Sequence, residues 1–231
     1  MMPWFIWKNK NSYSDFGLWI KALPDRVRPT ERYEEIEIPG RAGSLIMLEG
    51  DDVYASYQMR IVVWARNTLN INEITKWLTG SGELIICTDE SKIIEARAVD
   101  NITFSRVGNN LMQGTLLFLC KPLRKNRYSA SDYVSLNANG TIFNPGDVAS
   151  RPKVAVTGTG TITVAIGGEA MSFSGVNGTI LVDCDANIIT SSGQMWEGSF
   201  SGDFWKIPVG KVSVDVGTAL AVQIEPEWRW L

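Results

Sequence analysis

Between Val53 and Ala65 the odd positions are Val53, Ala55, Tyr57, Met59, Ile61, Val63 and Ala65, and Ser56, Gln58 and Arg60 fall between them. Alternation over that length predicts a half-buried antiparallel strand, one face on a core and the other toward water. A chain built on such a strand must supply antiparallel neighbours, which points to a mainly β architecture. Trp64 lies on the polar side of the pattern. An indole there suits a subunit contact, and packing under a neighbouring loop is the competing reading.

Neighbouring strands can be read on both sides. Trp4 to Trp7 and Phe16 to Ile20 flank a polar turn. From Glu34 to Ile38, Glu35 and Glu37 face one way and Ile36 and Ile38 the other; Pro39-Gly40-Arg41-Ala42-Gly43 breaks the strand, and Ser44 to Leu48 is apolar again. A helix is expected after Asn70, its cap, with Ile71, Ile74, Trp77 and Leu78 on one face and Gly80 at its end. Ala96 to Phe104 and Leu111 to Cys120 predict a hairpin around Gly108-Asn109-Asn110. Leu116, Leu117, Phe118 and Leu119 make that second strand apolar on both faces. Such a strand needs cover on both sides, from the helix or from another subunit. The run Lys121, Arg124, Lys125 and Arg127 reads as a solvated or ion-paired surface, with a nucleic-acid contact as the alternative.

Phe143 to Pro152 holds two prolines and a Pro-Gly turn signal, and composition changes across it. Residues 1–144 carry 17 basic and 16 acidic residues, whereas 145–231 carry 5 and 9. The boundary is placed there: residues 1–144 as a first domain, with 121–144 as its linker, and 145–231 as a second. The second part is all β by pattern. Val154 and Val156, then Ile162, Val164 and Ile166, alternate up to Gly167-Gly168, a hairpin signal. Asn177-Gly178 reads as another turn. Val212 to Val216 and Leu220 to Ile224 complete a sandwich. Trp196, Phe204 and Trp205 are aromatics that either plug its open end or stack a sugar ring or a partner.

No motif carries chemistry. There is no histidine, which removes the commonest general base and every Ser-His or Cys-His pair. Cys87, Cys120 and Cys184 are odd in number and far apart, so neither a disulfide framework nor a zinc site is expected. No cofactor, metal or catalytic residue is assigned. The net charge of −3 lacks the basic imbalance of a general nucleic-acid binder. No apolar run approaches a membrane span, and no targeting segment stands out.

Asp15-Phe16-Gly17-Leu18-Trp19-Ile20, then Ile38-Pro39-Gly40-Arg41-Ala42-Gly43-Ser44-Leu45, resemble the opening of the distal tail (Dit) proteins of long-tailed phages and prophages of Gram-positive bacteria. The Asn144-Pro145-Gly146 seam, Gly202-Asp203-Phe204 with Pro208 and Gly210, and the closing Glu225-Pro226-Glu227-Trp228-Arg229-Trp230 are similar to that family in the same order. The resemblance implies an N-terminal belt domain with a tail-tube-like β core and one helix, and a C-terminal galectin-like β-sandwich. It implies a homo-hexameric ring in the virion tail, assembled in the host cytoplasm, between the tail tube protein and the tail-associated tip protein, and serving as a hub for receptor-binding proteins. It carries over no enzymatic activity and no membrane insertion.

Within that reading, Trp64 and Leu116, Leu117, Phe118 and Leu119 are the expected subunit interface. DNA must pass the ring without being held, so Glu35 and Glu37 are expected at its channel and the Lys121–Arg127 cluster away from it. The alternative function is a lectin-like module, using Trp196, Phe204 and Trp205, attached to an oligomerisation domain.

Overall fold

The computed structural model describes residues 2–66, 71–99, 102–128 and 132–231. They form a mainly β protein with one helix, and the chain divides into two compact units, Met1–Arg127 with Leu231, and Tyr128–Trp230. No described helix is long and apolar enough to cross a membrane.

The first unit contains β1 (Phe5–Trp7), β2 (Lys10–Asn11), β3 (Trp19–Ala22), β4 (Tyr33–Glu37), β5 (Ser44–Leu48), β6 (Tyr57–Arg66), α1 (Ile71–Trp77), β7 (Ser81–Ile86), β8 (Lys92–Ala98), β9 (Thr103–Arg106) and β10 (Leu111–Asn126). Its main sheet runs β2-β1-β7-β8-β10-β6-β3, and β9 also pairs with β10. The alternation that predicted β6 is realised: Met59, Ile61, Val63 and Ala65 are buried. They lie opposite Phe118, Leu116, Gly114 and Met112 of β10, so both strands turn the same face to the core.

The helix lies on that face. Ile74, Trp77 and Leu78 are buried, and Gly80 follows at φ +67°, a conformation that costs glycine nothing. The expected cap, Asn70, lies outside the described residues. Two tryptophans tie helix to sheet: the Trp7 indole donates to the Trp77 carbonyl at 3.2 Å, and the Trp77 indole donates to the Trp7 carbonyl at 2.9 Å. The Trp77 ring also stacks on Phe16, 4.2 Å between centroids, and on Phe5 at 5.7 Å.

The second unit contains β11 (Val134–Leu136), β12 (Gly140–Asn144), β13 (Lys153–Ile166), β14 (Glu169–Asp183), β15 (Ile188–Ser191), β16 (Gln194–Met195), β17 (Ser199–Ser201), β18 (Gly210–Asp215), β19 (Ala221–Glu225) and β20 (Arg229–Trp230). β13 and β14 form a long hairpin closed by Gly167-Gly168, both at positive φ. Each bends and serves two layers. The outer half of β13 pairs with β19 and its tip with β18; β14 pairs with β17 near the turn and with β15 farther out. The bend is a bulge opposite Gly160 and Ile162, with Gly175 at φ +85°. The extra residue flips the side-chain parity of β14. Met171 and Phe173 are buried before it, Val176, Ile180 and Val182 after it, all in one core.

Two expectations are corrected here. Asn177-Gly178 is not a turn, because both residues sit in the β13–β14 ladder, opposite Thr159 and Gly158. The seam lies between Arg127 and Tyr128 rather than at 144/145. The described residues of 121–144 are not a linker: β10 continues to Asn126, β11 pairs with β19, and β12 pairs with β18. The Pro145-Gly146 signal is a turn inside the second unit. The buried Asn144 side chain holds it, donating to the carbonyls of Val148 and Ile207 and accepting from Gly146 N–H at 2.8 Å.

Candidate subunit-contact surface

β4 and β5 form a two-stranded sheet of their own, with Tyr33 opposite Leu48, Glu35 opposite Ile46, and Glu37 opposite Ser44. Residues directly opposite share a face, so Glu34, Ile36, Leu45 and Met47 make the other side. Leu45, Ile46, Met47 and Leu48 are 41–61% exposed. Both sides of this ribbon thus present apolar side chains to water, a surface of the kind that marks an interaction site. Glu35 accepts a hydrogen bond from Ser44 Oγ. Arg32 pairs with Glu49 at 2.7 Å rather than with the strand's carboxylates.

The main sheet has a second open surface, opposite the helix. From β6 it carries Arg60, Val62, Trp64 and Arg66, and from β10 Gln113, Thr115, Leu117 and Leu119. Trp64 is half-buried among Trp19, Lys21 and Gln113. The Trp19 ring meets it edge-on at 6.5 Å, Lys21 Nζ stands 5.4 Å over it, and its N–H points to Gln113 Oε1 at 3.4 Å. Lys21 also donates to Gln113 Oε1 at 2.9 Å. Trp19, Lys21, Gln113 and Arg60 were not singled out in the sequence. The available signal was Trp19, which pairs in register with Trp64.

Of the expected interface residues, the structure brings Trp64, Leu117 and Leu119 to this surface. Leu116 and Phe118 are corrected: each is 1% exposed and lies in the core. The reason is parity, since β10 has helix-side cover on one face only and its apolar run merely extends across both.

The basic run after Cys120 is paired. Lys121 and Lys125 converge on Glu95, the latter at 2.9 Å, and Arg124 lies 3.7 Å from Asp89. Burial alone would raise the Glu95 carboxyl, but hydrogen bonds and charge from Lys121 and Lys125 outweigh it and hold it at about 2. A carboxyl whose folded value lies below its ordinary 4.5 stabilises the fold above that pH, and the contribution is lost as pH falls toward 2. Glu95→Gln should therefore destabilise the wild-type fold at pH 7 and flatten the loss of stability between pH 4.5 and 2. Denaturation midpoints across that range measure it; an unchanged acid limb would show that the pair does not couple to folding.

In the second unit Trp205 is fully buried and donates to the Glu169 carbonyl at 3.0 Å, so its ring cannot stack a sugar. Trp196 and Phe204 are half-buried; Trp196 meets Phe173 edge-on at 6.0 Å and Phe204 meets Phe200 at 5.6 Å. Trp205 is part of the core, and the other two pack against that core from its edge. Among the described residues no group of three or more Cys, Asp or Glu could hold a metal ion.

No protein-family model matches this sequence, and no curated protein matches it. Among solved structures, the chain superposes on the Dit (gp 19.1) protein of SPP1 with a TM-score of 0.74, covering 100% of each chain at 12% identity. The fold is that of a phage Dit protein. That protein is described as a paradigm of the hub adsorption apparatus in phages that infect Gram-positive bacteria.

Proposed function

We propose that this chain is a structural hub of a long-tailed phage or prophage of Gram-positive bacteria. It forms a hexameric ring in the virion tail, joining the tail tube to the tail-associated tip protein, and offers its second, galectin-like unit to the host-adhesion device. Its role is assembly, not catalysis, and it is assembled in the host cytoplasm.

The observation that carries this reading is the match of fold to the SPP1 hub protein over the full length of both chains. The first unit supports it with two uncovered surfaces that a monomer has no reason to keep apolar. The ring's channel takes the carboxylates of Glu35 and Glu37, while Lys121 and Lys125 are engaged by Glu95 and Arg124 by Asp89. Phosphate passing such a wall is repelled rather than held.

Cryo-electron microscopy of the purified full chain tests this. The expected result is a sixfold ring with Glu35 and Glu37 at the lumen. Particles with Arg124 and Lys125 at the lumen would remove the channel assignment, and a chain that neither forms rings nor occurs in purified tails would remove the hub.

A further inference from the structure

The two uncovered surfaces of the first unit differ in charge as well as in shape. Between Glu31 and Asp52, the stretch that contains the β4–β5 ribbon, seven acidic residues stand against two basic ones. The outward positions of β3, β6 and the Leu111–Leu119 part of β10 hold Lys21, Arg60 and Arg66 and no acidic residue. Arg60 and Arg66 are exposed and make no ion pair among the described residues. On each surface a charge also stands beside apolar side chains. On the ribbon, Glu34 sits with Ile36, Leu45 and Met47. On the sheet, Arg60 lies opposite Leu117, beside Val62 and Leu119.

We propose that the ribbon of one copy seats its Glu34–Ile36–Leu45–Met47 side on the open sheet face of the next copy, with Glu34 against Arg60. The proposal rests on the ring reading above and names the contact that makes the ring. An isolated two-stranded hairpin is marginal in water, so a ribbon with apolar side chains on both sides gains from cover. The sheet face gains the same, because Trp64, Val62, Leu117 and Leu119 lose water and Arg60 gains a carboxylate. A contact between two different surfaces is heterologous, and repeated heterologous contacts close into a ring when the rotation allows. Seated this way, the ribbon keeps Glu35 and Glu37 on its uncovered side.

The test uses the full chain and native mass spectrometry, with thermal melts to confirm that each variant folds. Glu34→Arg alone and Arg60→Glu alone should each weaken assembly at least tenfold, because every contact then opposes like charges. An equimolar mixture of the two should restore rings. The ribbon of a Glu34→Arg copy meets the sheet face of an Arg60→Glu copy in one contact, and an unaltered ribbon meets an unaltered face in the next, so copies alternate. Ile36→Asp with Leu45→Asp should abolish rings, whereas Glu35→Gln with Glu37→Gln, on the other side, should leave them intact. If folded single variants assemble like wild type, or the mixture gives no rescue, the docking is overturned while wild-type rings keep the hub reading standing. A wild-type chain that stays monomeric also overturns the docking, and finding that chain in purified tails would still support the hub. Ribbon variants that form rings but fail to bind a tail tube would assign the ribbon to the tube instead.

Discussion

Trp205→Ala should cost the second unit about 3–5 kcal/mol, the range for truncating a fully buried large aromatic. A domain of this size has only about 5–15 kcal/mol to lose, so the variant should populate its unfolded form at room temperature or on mild warming. The loss has two parts. One is the cavity that opens beside Phe173, whose ring lies 6.0 Å away edge-on. The Glu169 carbonyl also loses its indole donor. Amide hydrogen exchange on β13 and β14 reports the change in this unit directly. Protection within about 1 kcal/mol of wild type would mean that this core does not depend on Trp205.

A comparable loss is expected in the first unit from Trp77→Ala. It removes the stacks on Phe16 and Phe5 together with the indole N–H that Trp77 donates to the Trp7 carbonyl, one of the two bonds holding α1 to β1. The expected cost is again about 3–5 kcal/mol. Trp77→Phe separates the parts: it keeps most of the packing and removes the donor to the Trp7 carbonyl, for about 1–3 kcal/mol. Urea denaturation should therefore order the proteins wild type, Phe, Ala. Equal stability of the Phe variant and wild type would show that the Trp77 indole hydrogen bond contributes only position.

The elements that were legible in the sequence are those whose signal is local. The parity of β6 is written in Met59, Ile61, Val63 and Ala65, and the β13–β14 turn in Gly167-Gly168. The errors came where a local signal was overruled by what lay across from it. Asn177-Gly178 has turn chemistry, but Thr159 and Gly158 offer it a ladder. Leu116 and Phe118 look like half of a two-faced surface until β10 is seen between β8 and β6, which sets one side to the core. Pro145-Gly146 breaks a strand without ending a domain, because the partners of β11 and β12 are β19 and β18, far ahead in the chain. The candidate site was half visible for the same reason. Trp64 stood out against its own strand, whereas Lys21 and Gln113 acquire meaning only once β3 and β10 flank β6.

The sharing of β13 and β14 between both layers also sets an order in time. Their hairpin closes through a two-residue turn and can form as soon as both strands have left the ribosome. β11 and β12 cannot follow at once: Ser135 waits for Gln223, and Ile142 for Val212. At bacterial or slower synthesis rates of about 5–20 residues per second, those two strands remain without partners for on the order of ten seconds. The second unit is therefore built from its middle outward, and its first-made strands are among its last to be paired.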